Sequence, residues 1–247
     1  MTGANGTMGQ LASRLIEEAD DLELFAAIGS TDPLDAMIGA DLLVDLTVPA
    51  VSADIVTFAV EHGINVLVGT SGWSAEKLAP LATRLAATPE VGVVVVPNFS
   101  VGSMLATRFA AMAAGFFDSI EIVEAHHAQK VDSPSGTAVR TAELIGAART
   151  RIGPVIAPHV DQRARGQQVA SVPIHSLRMQ GIVAKQDVLF GGTGETLTVS
   201  HETLSAASYE AGILLAIRAA RDATGVTVGL DQVIGLDGLL GAAAADS

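Results

Sequence analysis

The first hundred residues alternate short apolar runs with amphipathic segments, and this alternation restricts the folds that the chain can adopt. The apolar runs are rich in Leu or β-branched residues and are bounded by Gly, Pro or Asp, as is typical of buried strands. Alternating strands and helices predict a parallel sheet with right-handed crossovers, and therefore an α/β fold. The predicted strands are Leu24–Ile28, Leu42–Leu46, Asn65–Val68 and Val91–Val96, and the predicted helices are Thr7–Glu18, Val51–His62 and Ser74–Ala87.

The second half has a different pattern, in which three strand-like runs follow one another without helices between them. Gly181 and the GGTG of residues 191–194 are turn signals between these runs, so we expect a mixed or antiparallel sheet. The polar stretch Gly153–Ala170 is predicted to be a long loop. The remaining predicted strands are Ser119–His126, Val172–Arg178, Val183–Phe190 and Glu195–His201, and the remaining helices are Gly102–Ala114, Thr137–Thr150 and Ala206–Ala223, the last of which is followed by a short apolar tail.

Composition excludes several classes of protein. The net charge is −13, whereas a nucleic-acid partner requires clustered Lys and Arg, so we expect none. The chain has no cysteine, which rules out disulfides, thiolate catalysis and Cys-ligated metals, and its six histidines show no HExxH motif, so no metal site is expected. No apolar run approaches 18 residues and no secretion signal is visible, so we expect no membrane span and a cytoplasmic location.

A glycine-rich segment, GANGTMG, occupies Gly3 to Gly9 and directly precedes a predicted helix. Glycine allows positive φ and close approach of the backbone, and a helix start offers N–H groups and the positive end of a dipole. These are the physical requirements for binding the pyrophosphate of a dinucleotide. A plain glycine-rich turn is the alternative interpretation.

Two features near this segment depart from the usual dinucleotide-binding pattern. Only Met1 and Thr2 precede the glycines, so we expect the chain to lack about five residues of a central strand, as a misplaced start codon would cause. The strand Leu24–Ile28 is followed by Gly29-Ser30-Thr31 instead of the acid that grips a ribose, and the nearest acid is Asp32. We therefore expect the use of both NADH and NADPH.

The stretch Glu124–Ala138, EAHHAQKVDSPSGTA, combines groups suited to a small anionic substrate. His126 can donate or accept a proton near neutral pH, and Lys130 supplies a positive charge. Ser135 can cap the following helix, and the N–H groups around Gly136 and Thr137 can seat a carboxylate. Each feature alone is more often ordinary structure, but their conjunction within 15 residues favours a reductase of a dicarboxylate.

This stretch resembles the signature E-x-H-H-x-x-K-x-D-x-P-S-G-T-A of the bacterial 4-hydroxy-tetrahydrodipicolinate (dihydrodipicolinate) reductase family of lysine biosynthesis. The resemblance extends to GANGTMG, VDLTVP at 44–49, VGTSGW at 68–73 and PNFSVG at 97–102. It implies a Rossmann-like parallel-sheet cofactor domain, a smaller α+β substrate domain with a mixed sheet, and a homotetramer. The implied boundaries are 1–100 with 208–247 for dinucleotide binding and 101–207 for substrate binding and oligomerisation.

The same resemblance implies roles for individual residues. His126 and Lys130 would be catalytic, and Lys130 would also bind substrate. Trp73 stands where the family usually has Phe or Tyr, and Ala206 where many members have Arg. The other implied substrate-binding residues are His127, Ser135, Gly136 and Thr137. The implied cofactor-binding residues are Gly3, Ala4, Asn5, Gly6, Thr7, Met8, Gly69, Thr70, Ser71, Val96, Pro97, Asn98 and Phe99.

Two rival functions can be compared with the residues present. A short-chain dehydrogenase needs Tyr-x-x-x-Lys, but Tyr209 is the only tyrosine and position 213 is Ile213, so this alternative fails. A non-catalytic NAD(P)-binding protein derived from a reductase stays open. The lack of a first strand favours it, whereas the His126 and Lys130 pair argues against it.

Overall fold

The computed structural model describes residues 1–236 and 238, and the chain divides into two units. The first comprises Met1–Val101 with Tyr209–Ser247, and the second comprises Gly102–Ser208. The helices are α1 (Thr7–Glu18), α2 (Ser52–Glu61), α3 (Ala75–Leu85), α4 (Val101–Ala113), α5 (Gly136–Ala148), α6 (Glu210–Arg221) and α7 (Leu230–Ile234). The strands are β1 (Leu42–Asp45), β2 (Asn65–Val68), β3 (Gly92–Val95), β4 (Ser119–His126), β5 (Gln167–Val169), β6 (Val172–Arg178), β7 (Ala184–Gly192), β8 (Glu195–Thr203) and β9 (Gly225–Val228).

The first unit contains a parallel sheet in the order β1-β2-β3-β9. The two central strands, β2 and β3, are buried on both faces, which explains their continuous apolar sequences. Leu43, Val66 and Val93 belong to a core that includes side chains of α2 and α3, while α6 packs against β2 and β3. The predicted α/β class and the parallel sheet are confirmed.

The prediction of a strand at Leu24–Ile28 is wrong. These residues form no ladder, and only Ile28 makes an isolated parallel bridge, with Thr2. Thr2 also bridges Asp45, and therefore lies between the two segments as the central strand of a βαβ unit would. A parallel strand needs a neighbour along its length, and within the described residues Met1–Gly3 supply the neighbour only at the Ile28 end.

A cavity of about 500 Å³ follows this unpaired stretch. Its lining includes Leu22 to Ala26 on one side and Leu42 to Val44 on the other. The Met1 ammonium donates to the Ala26 carbonyl at 2.7 Å, and the Thr2 N–H donates to the Val44 carbonyl at 2.9 Å. Met1 and Thr2 therefore form hydrogen bonds with both flanking segments at the end of this cavity.

The chain continues in regular structure beyond the helix that was predicted to close it. The predicted Ala206–Ala223 helix is a 3₁₀ turn at Ala206–Tyr209 followed by α6. The tail then contains β9, which pairs in parallel with β3, and α7. Gly225 and Thr227 interrupt the apolar pattern of this strand, which is why the sequence did not reveal it. The final residues, 239–247, lie outside the described part of the chain.

The second unit contains a mixed sheet in the order β5-β6-β4-β7-β8. The β4–β6 pair is parallel and the other pairs are antiparallel, so the sheet is mixed, which is one of the two arrangements that the sequence predicted. One face carries Ile120, Ile122 and Phe190, which form a core with α4 and α5. The opposite face carries Leu177 and Leu189, which are 48% and 42% exposed.

The predicted long loop at Gly153–Ala170 contains regular structure. Arg163–Arg165 form a 3₁₀ turn, and β5 forms a hairpin with β6. Ala170 and Ser171 connect the two strands with positive φ values of 47° and 68°. A two-residue turn of this kind usually contains Gly or Asn, so the sequence of this turn did not predict a hairpin.

No helix of the described chain is long and apolar enough to span a membrane.

Candidate active site

The glycine-rich segment folds into a tight loop at the carboxyl edge of the parallel sheet. Gly3 has φ of 75°, and a Cβ atom there would lie 2.4 Å from the Leu46 carbonyl oxygen. A Cβ atom at Gly9 would lie 2.1 Å from the Gly3 carbonyl oxygen. A larger residue at Gly3 would push the loop away from the end of β1, and a larger residue at Gly9 would push α1 away from the loop. Gly6 is the N-cap of α1, and no side chain of the described residues caps this helix start. The N–H groups of the first turn are therefore suited to an anion.

Two other predicted cofactor segments lie at the same edge. Gly69 follows β2, and its N–H donates to the Asp45 carbonyl at 2.9 Å. A Cβ atom at Gly69 would lie 2.6 Å from the Phe99 ring and 2.5 Å from Leu46. The structure therefore brings the glycine loop, the Gly69–Ser71 turn and the Val96–Phe99 segment to one edge of the first unit. This arrangement fits an extended dinucleotide, which binds outside the carboxyl ends of parallel strands.

Asp32 occupies a position that the sequence did not predict. Its Oδ2 accepts the Gly29 N–H at 2.8 Å, and a Cβ atom at Gly29 would lie 3.3 Å from the Asn5 side-chain nitrogen. The carboxylate is exposed and folds back toward the glycine loop. Gly29-Ser30-Thr31 contains no acidic residue, but the hydrogen bond from the Gly29 N–H places the Asp32 carboxylate at the start of this segment.

In the second unit, Glu124 organises the reactive stretch. Its side chain is fully buried, and it accepts a hydrogen bond from His126 Nδ1 at 2.6 Å and from the Ser135 N–H at 3.1 Å. Arg178 forms a fork with both carboxylate oxygens, at 2.8 and 2.9 Å. Burial acts to raise the pKa of Glu124, but the hydrogen bonds from Arg178, Ser176, His126 and the Ser135 backbone outweigh it, so the pKa lies below its ordinary value. Glu124 is therefore a carboxylate at neutral pH.

This carboxylate fixes the orientation of His126. A carboxylate only accepts hydrogen bonds, so His126 Nδ1 carries the proton and Nε2 points away from Glu124. Burial lowers the pKa of His126 below its ordinary value, and the raising effect of Glu124 does not offset it fully. The unliganded ring is thus mainly neutral at pH 7, with an acceptor at Nε2.

The other predicted substrate residues follow on the same loop and helix start. Lys130 pairs with Asp132 at 2.7 Å, an interaction that the sequence did not predict. His127 is exposed and its Nδ1 lies 3.3 Å from the Gln129 amide oxygen. Ser135 is 2% exposed, and its Oγ caps α5 by accepting the Ala138 N–H at 3.2 Å.

The N–H and the hydroxyl of Ser135 are both hydrogen-bonded, to Glu124 and to the Ala138 N–H, so Ser135 holds the start of α5 in place. Gly136 lies at the surface, where a Cβ atom would meet no other atom within 4 Å. Arg178 was missed by sequence reasoning, because it contacts Glu124 only through the parallel pairing of β4 with β6. Its fork also donates to the Asp132 carbonyl at 2.6 Å and so attaches the loop to the sheet.

A glycine-rich helix start at the carboxyl edge of a parallel sheet and, in the second unit, a histidine oriented by a buried carboxylate are the features of a nicotinamide-dinucleotide-dependent oxidoreductase. Comparison with known proteins gives the particular family. Residues 1–99 match the family model for the N-terminus of dihydrodipicolinate reductase, and residues 102–234 match the model for its C-terminus. The chain belongs to the dihydrodipicolinate reductase family, as its motifs predicted.

Individual relatives agree with this assignment. A 4-hydroxy-tetrahydrodipicolinate reductase of Clavibacter michiganensis is 64% identical over 238 residues, which cover 96% of this chain and 86% of that relative. The enzyme of the same name from Streptomyces griseus is 46% identical over 241 residues, or 95% of this chain and 96% of the relative. A dipicolinate-bound dihydrodipicolinate reductase from a Paenisporosarcina species superposes with a TM-score of 0.80 at 29% identity, covering 94% of this chain and 97% of that one.

Proposed function

We propose that this chain reduces 4-hydroxy-tetrahydrodipicolinate to tetrahydrodipicolinate with NADH or NADPH, a step of the diaminopimelate and lysine pathway. The observation that carries this proposal is the buried Glu124, which orients His126 at the start of the loop that bears Lys130. The family assignment supplies the reaction, and the relative with bound dipicolinate supports a planar dicarboxylate as the ligand. We also infer a cytoplasmic location, where this pathway's intermediates are made.

The proposed substrate site uses the groups around the start of α5. Gly136 and Thr137 lie in the first turn of α5, where backbone N–H groups are suited to one carboxylate, and Lys130 is suited to the same or the second. In a chain with a net charge of −13, an anionic substrate needs such a local positive site. His127 and Ser135 complete the proposed substrate residues, with Ser135 acting by holding the helix start in place.

The net reaction replaces the 4-hydroxyl group of the substrate by hydrogen. The C4–O bond breaks and the hydroxyl leaves as water, C4 gains a hydride, and one proton is consumed. The reduced nicotinamide supplies the hydride when it is bound. His126 is proposed to supply this proton from Nε2. The negative charges of a bound dicarboxylate would raise the pKa of His126 toward the value that proton donation requires.

The proposed cofactor site comprises the glycine loop, Gly3 to Met8, with Gly69–Ser71 and Val96–Phe99. The loop would hold the pyrophosphate, and the two strand ends would lie beside the nicotinamide half. We propose that both NADH and NADPH are used, because Gly29-Ser30-Thr31 contributes no carboxylate. Asp32 is the acid that could bias this choice toward NADH, since its carboxylate lies at the Gly29 N–H.

We propose a homotetramer that assembles through the open face of the mixed sheet. Leu177 and Leu189 lie on this face, on the two strands that flank β4, and exposed apolar side chains favour burial against another copy. Light scattering on the wild type and on a Leu177→Glu, Leu189→Glu double variant tests the assembly. A wild-type mass equal to that of one chain would contradict it.

Turnover tests the function directly. The purified chain should consume NADH and NADPH only when freshly generated 4-hydroxy-tetrahydrodipicolinate is present. His126→Gln should reduce kcat by about 10²–10⁴-fold, the usual cost of losing a general acid or base. His62→Gln, on the surface of the first unit, is the matched control and should retain wild-type kcat. Cofactor binding without turnover would instead support the non-catalytic alternative.

A further inference from the structure

Asp45, the last residue of β1, is fully buried and forms the centre of a hydrogen-bond cluster in the first unit. Its donors are four hydroxyls and one backbone N–H, all of them neutral. Oδ1 accepts from Thr2 Oγ1 at 3.0 Å, from the Thr47 N–H at 3.2 Å and from Thr47 Oγ1 at 2.6 Å, and Oδ2 accepts from Ser52 Oγ and from Thr70 Oγ1 at 3.2 Å. A buried carboxylate is costly unless its oxygens are hydrogen-bonded, and here both are.

The donors come from separate segments of the chain. Thr2 directly precedes the glycine loop, Ser52 begins α2, and Thr70 lies in the turn after β2. A carboxylate that only capped its own turn would bond to nearby residues such as Thr47. Asp45 instead connects residues 43 positions before it and 25 positions after it. The connected segments are the two that the glycine contacts also bring to the cofactor edge.

The cluster extends to Trp73, the only tryptophan of the chain. Trp73 Nε1 donates to Ser52 Oγ at 3.0 Å, and Ser52 in turn donates to Asp45. The environment of this indole is therefore coupled to the carboxylate. Its fluorescence reports on the cluster without any need for turnover.

We propose that Asp45 is a positioning residue for the dinucleotide, which sets the spacing between the glycine loop and the Gly69–Ser71 turn. This inference rests on the proposed cofactor site. A dinucleotide must contact both segments at once, whereas ADP reaches only the glycine loop. An error in spacing therefore weakens dinucleotide binding much more than ADP binding. General destabilisation of the unit would weaken both ligands equally.

Asn65 provides a matched control at the opposite end of the same sheet. Its side-chain amide is buried and donates to the carbonyls of Ala220 and Arg221 at 3.1 and 2.7 Å, and its oxygen accepts the Gly92 N–H at 2.8 Å. Asn65→Ala thus removes a buried polar connection of the same unit but does not touch the cofactor edge.

The experiment measures Kd for NADH, NADPH and ADP by Trp73 fluorescence and calorimetry, together with Tm, in the wild type, Asp45→Asn and Asn65→Ala. We expect Asp45→Asn to raise both dinucleotide Kd values by about 10–100-fold and the ADP value by less than about 3-fold, since misplaced contacts of this kind cost about 100-fold. Asn65→Ala should lower Tm yet keep all three Kd values within about 3-fold of the wild type.

Thr2→Val is a milder variant that retains shape and removes one connection to Asp45, and it should show a smaller loss in the same direction even if Asp45→Asn does not fold. Equal losses for dinucleotide and ADP, or equal losses in the Asp45 and Asn65 variants, would overturn the inference. If Asp45→Asn and Thr2→Val both bind the dinucleotides with the Kd of the wild type, the inference is overturned and the proposed function stays intact. A wild type that binds no dinucleotide would remove the proposed function and this inference together.

Discussion

His126 Nδ1 lies 2.6 Å from Glu124 Oε2, and this contact fixes which ring nitrogen of the histidine is available for chemistry. The two residues lie two positions apart on β4, so their side chains share one face of the strand. Arg178 and the Ser135 N–H hold the carboxylate in turn. The proposed proton donor is therefore held by a buried carboxylate that cannot rotate without losing several hydrogen bonds.

Glu124→Gln should reduce kcat substantially while the protein still folds. An amide at this position can donate to Nδ1, which would favour the opposite tautomer of His126 and leave Arg178 without its ionic partner. We expect a loss of about 10–10³-fold in kcat with a smaller change in KM for the dinucleotide, whose proposed site lies in the other unit. Steady-state kinetics measure this split. A variant with wild-type kcat would show that the orientation of His126 does not limit the reaction.

Stability should decrease on acidification, and Glu124 and His126 both contribute to this. The pKa of Glu124 lies below its ordinary 4.5 and that of His126 below its ordinary 6.5, so the unfolded chain takes up each proton at a higher pH than the folded chain. The contribution of each group to the free energy of unfolding is fully present above its ordinary pKa. It is lost as the pH falls through the pKa that the group has in the folded state. Tm measured from about pH 8 to about pH 4 should therefore fall. Glu124→Gln should flatten the acid part of this curve, whereas Glu17→Gln, an exposed acid on α1, should not.

Pyridine-2,6-dicarboxylate should inhibit competitively with the substrate, and Lys130 should contribute to its affinity. Lys130→Ala removes a point charge beside the proposed carboxylate seat, and we expect the inhibition constant to rise by about 10-fold, the usual scale for a charge-assisted contact. Lys77→Ala is the control, because Lys77 is an exposed lysine on α3 of the first unit. Calorimetry that detects no dicarboxylate binding to the wild type would contradict the seat.

Local patterns in the sequence predicted the elements that local physics determines. The bounds of β2, β4 and β6 agree with the predictions, because each is an apolar or alternating run between clear turn residues. The reactive stretch was recognised because its histidines, lysine and helix cap are adjacent in sequence. The predicted strand at Leu24–Ile28 failed because a strand is defined by its neighbour, and composition alone does not supply one.

Contacts between distant residues account for what the sequence could not predict. Arg178 is 54 positions from Glu124, and only the register of β4 against β6 brings them together. Asp45 likewise lies near the end of a predicted apolar strand, and no pattern in the neighbouring sequence predicts Thr2 or Thr70 as its hydrogen-bond partners. The partners of both carboxylates became visible only when the sheet pairing was known.

The cavity beside Met1 should accept an added strand. Joining about five apolar residues ahead of Met1 would continue the backbone ladder between Leu22–Ala26 and Leu42–Val44, because a central parallel strand is buried on both faces. We expect Tm to rise by several degrees and dinucleotide affinity to increase together with it. An extension of the same length made of Gly and Ser is the control and should have little effect. Equal Tm and Kd for the apolar and Gly/Ser extensions would show that the cavity does not bind a strand.

Asp32 should set the balance between NADH and NADPH. Its carboxylate is fixed by the Gly29 N–H at 2.8 Å, where an acid accepts hydrogen bonds from the ribose hydroxyls and repels a 2′-phosphate. We expect the wild type to use both cofactors, and Asp32→Ser to increase kcat/KM with NADPH relative to NADH by about 10-fold, which corresponds to about 1.4 kcal/mol. Asp35→Ser removes an exposed acid three positions away and serves as the control for a simple change in net charge. If Asp35→Ser changes the ratio as much as Asp32→Ser does, long-range charge governs the choice of cofactor; if neither variant changes it, the ribose lies beyond the reach of this carboxylate.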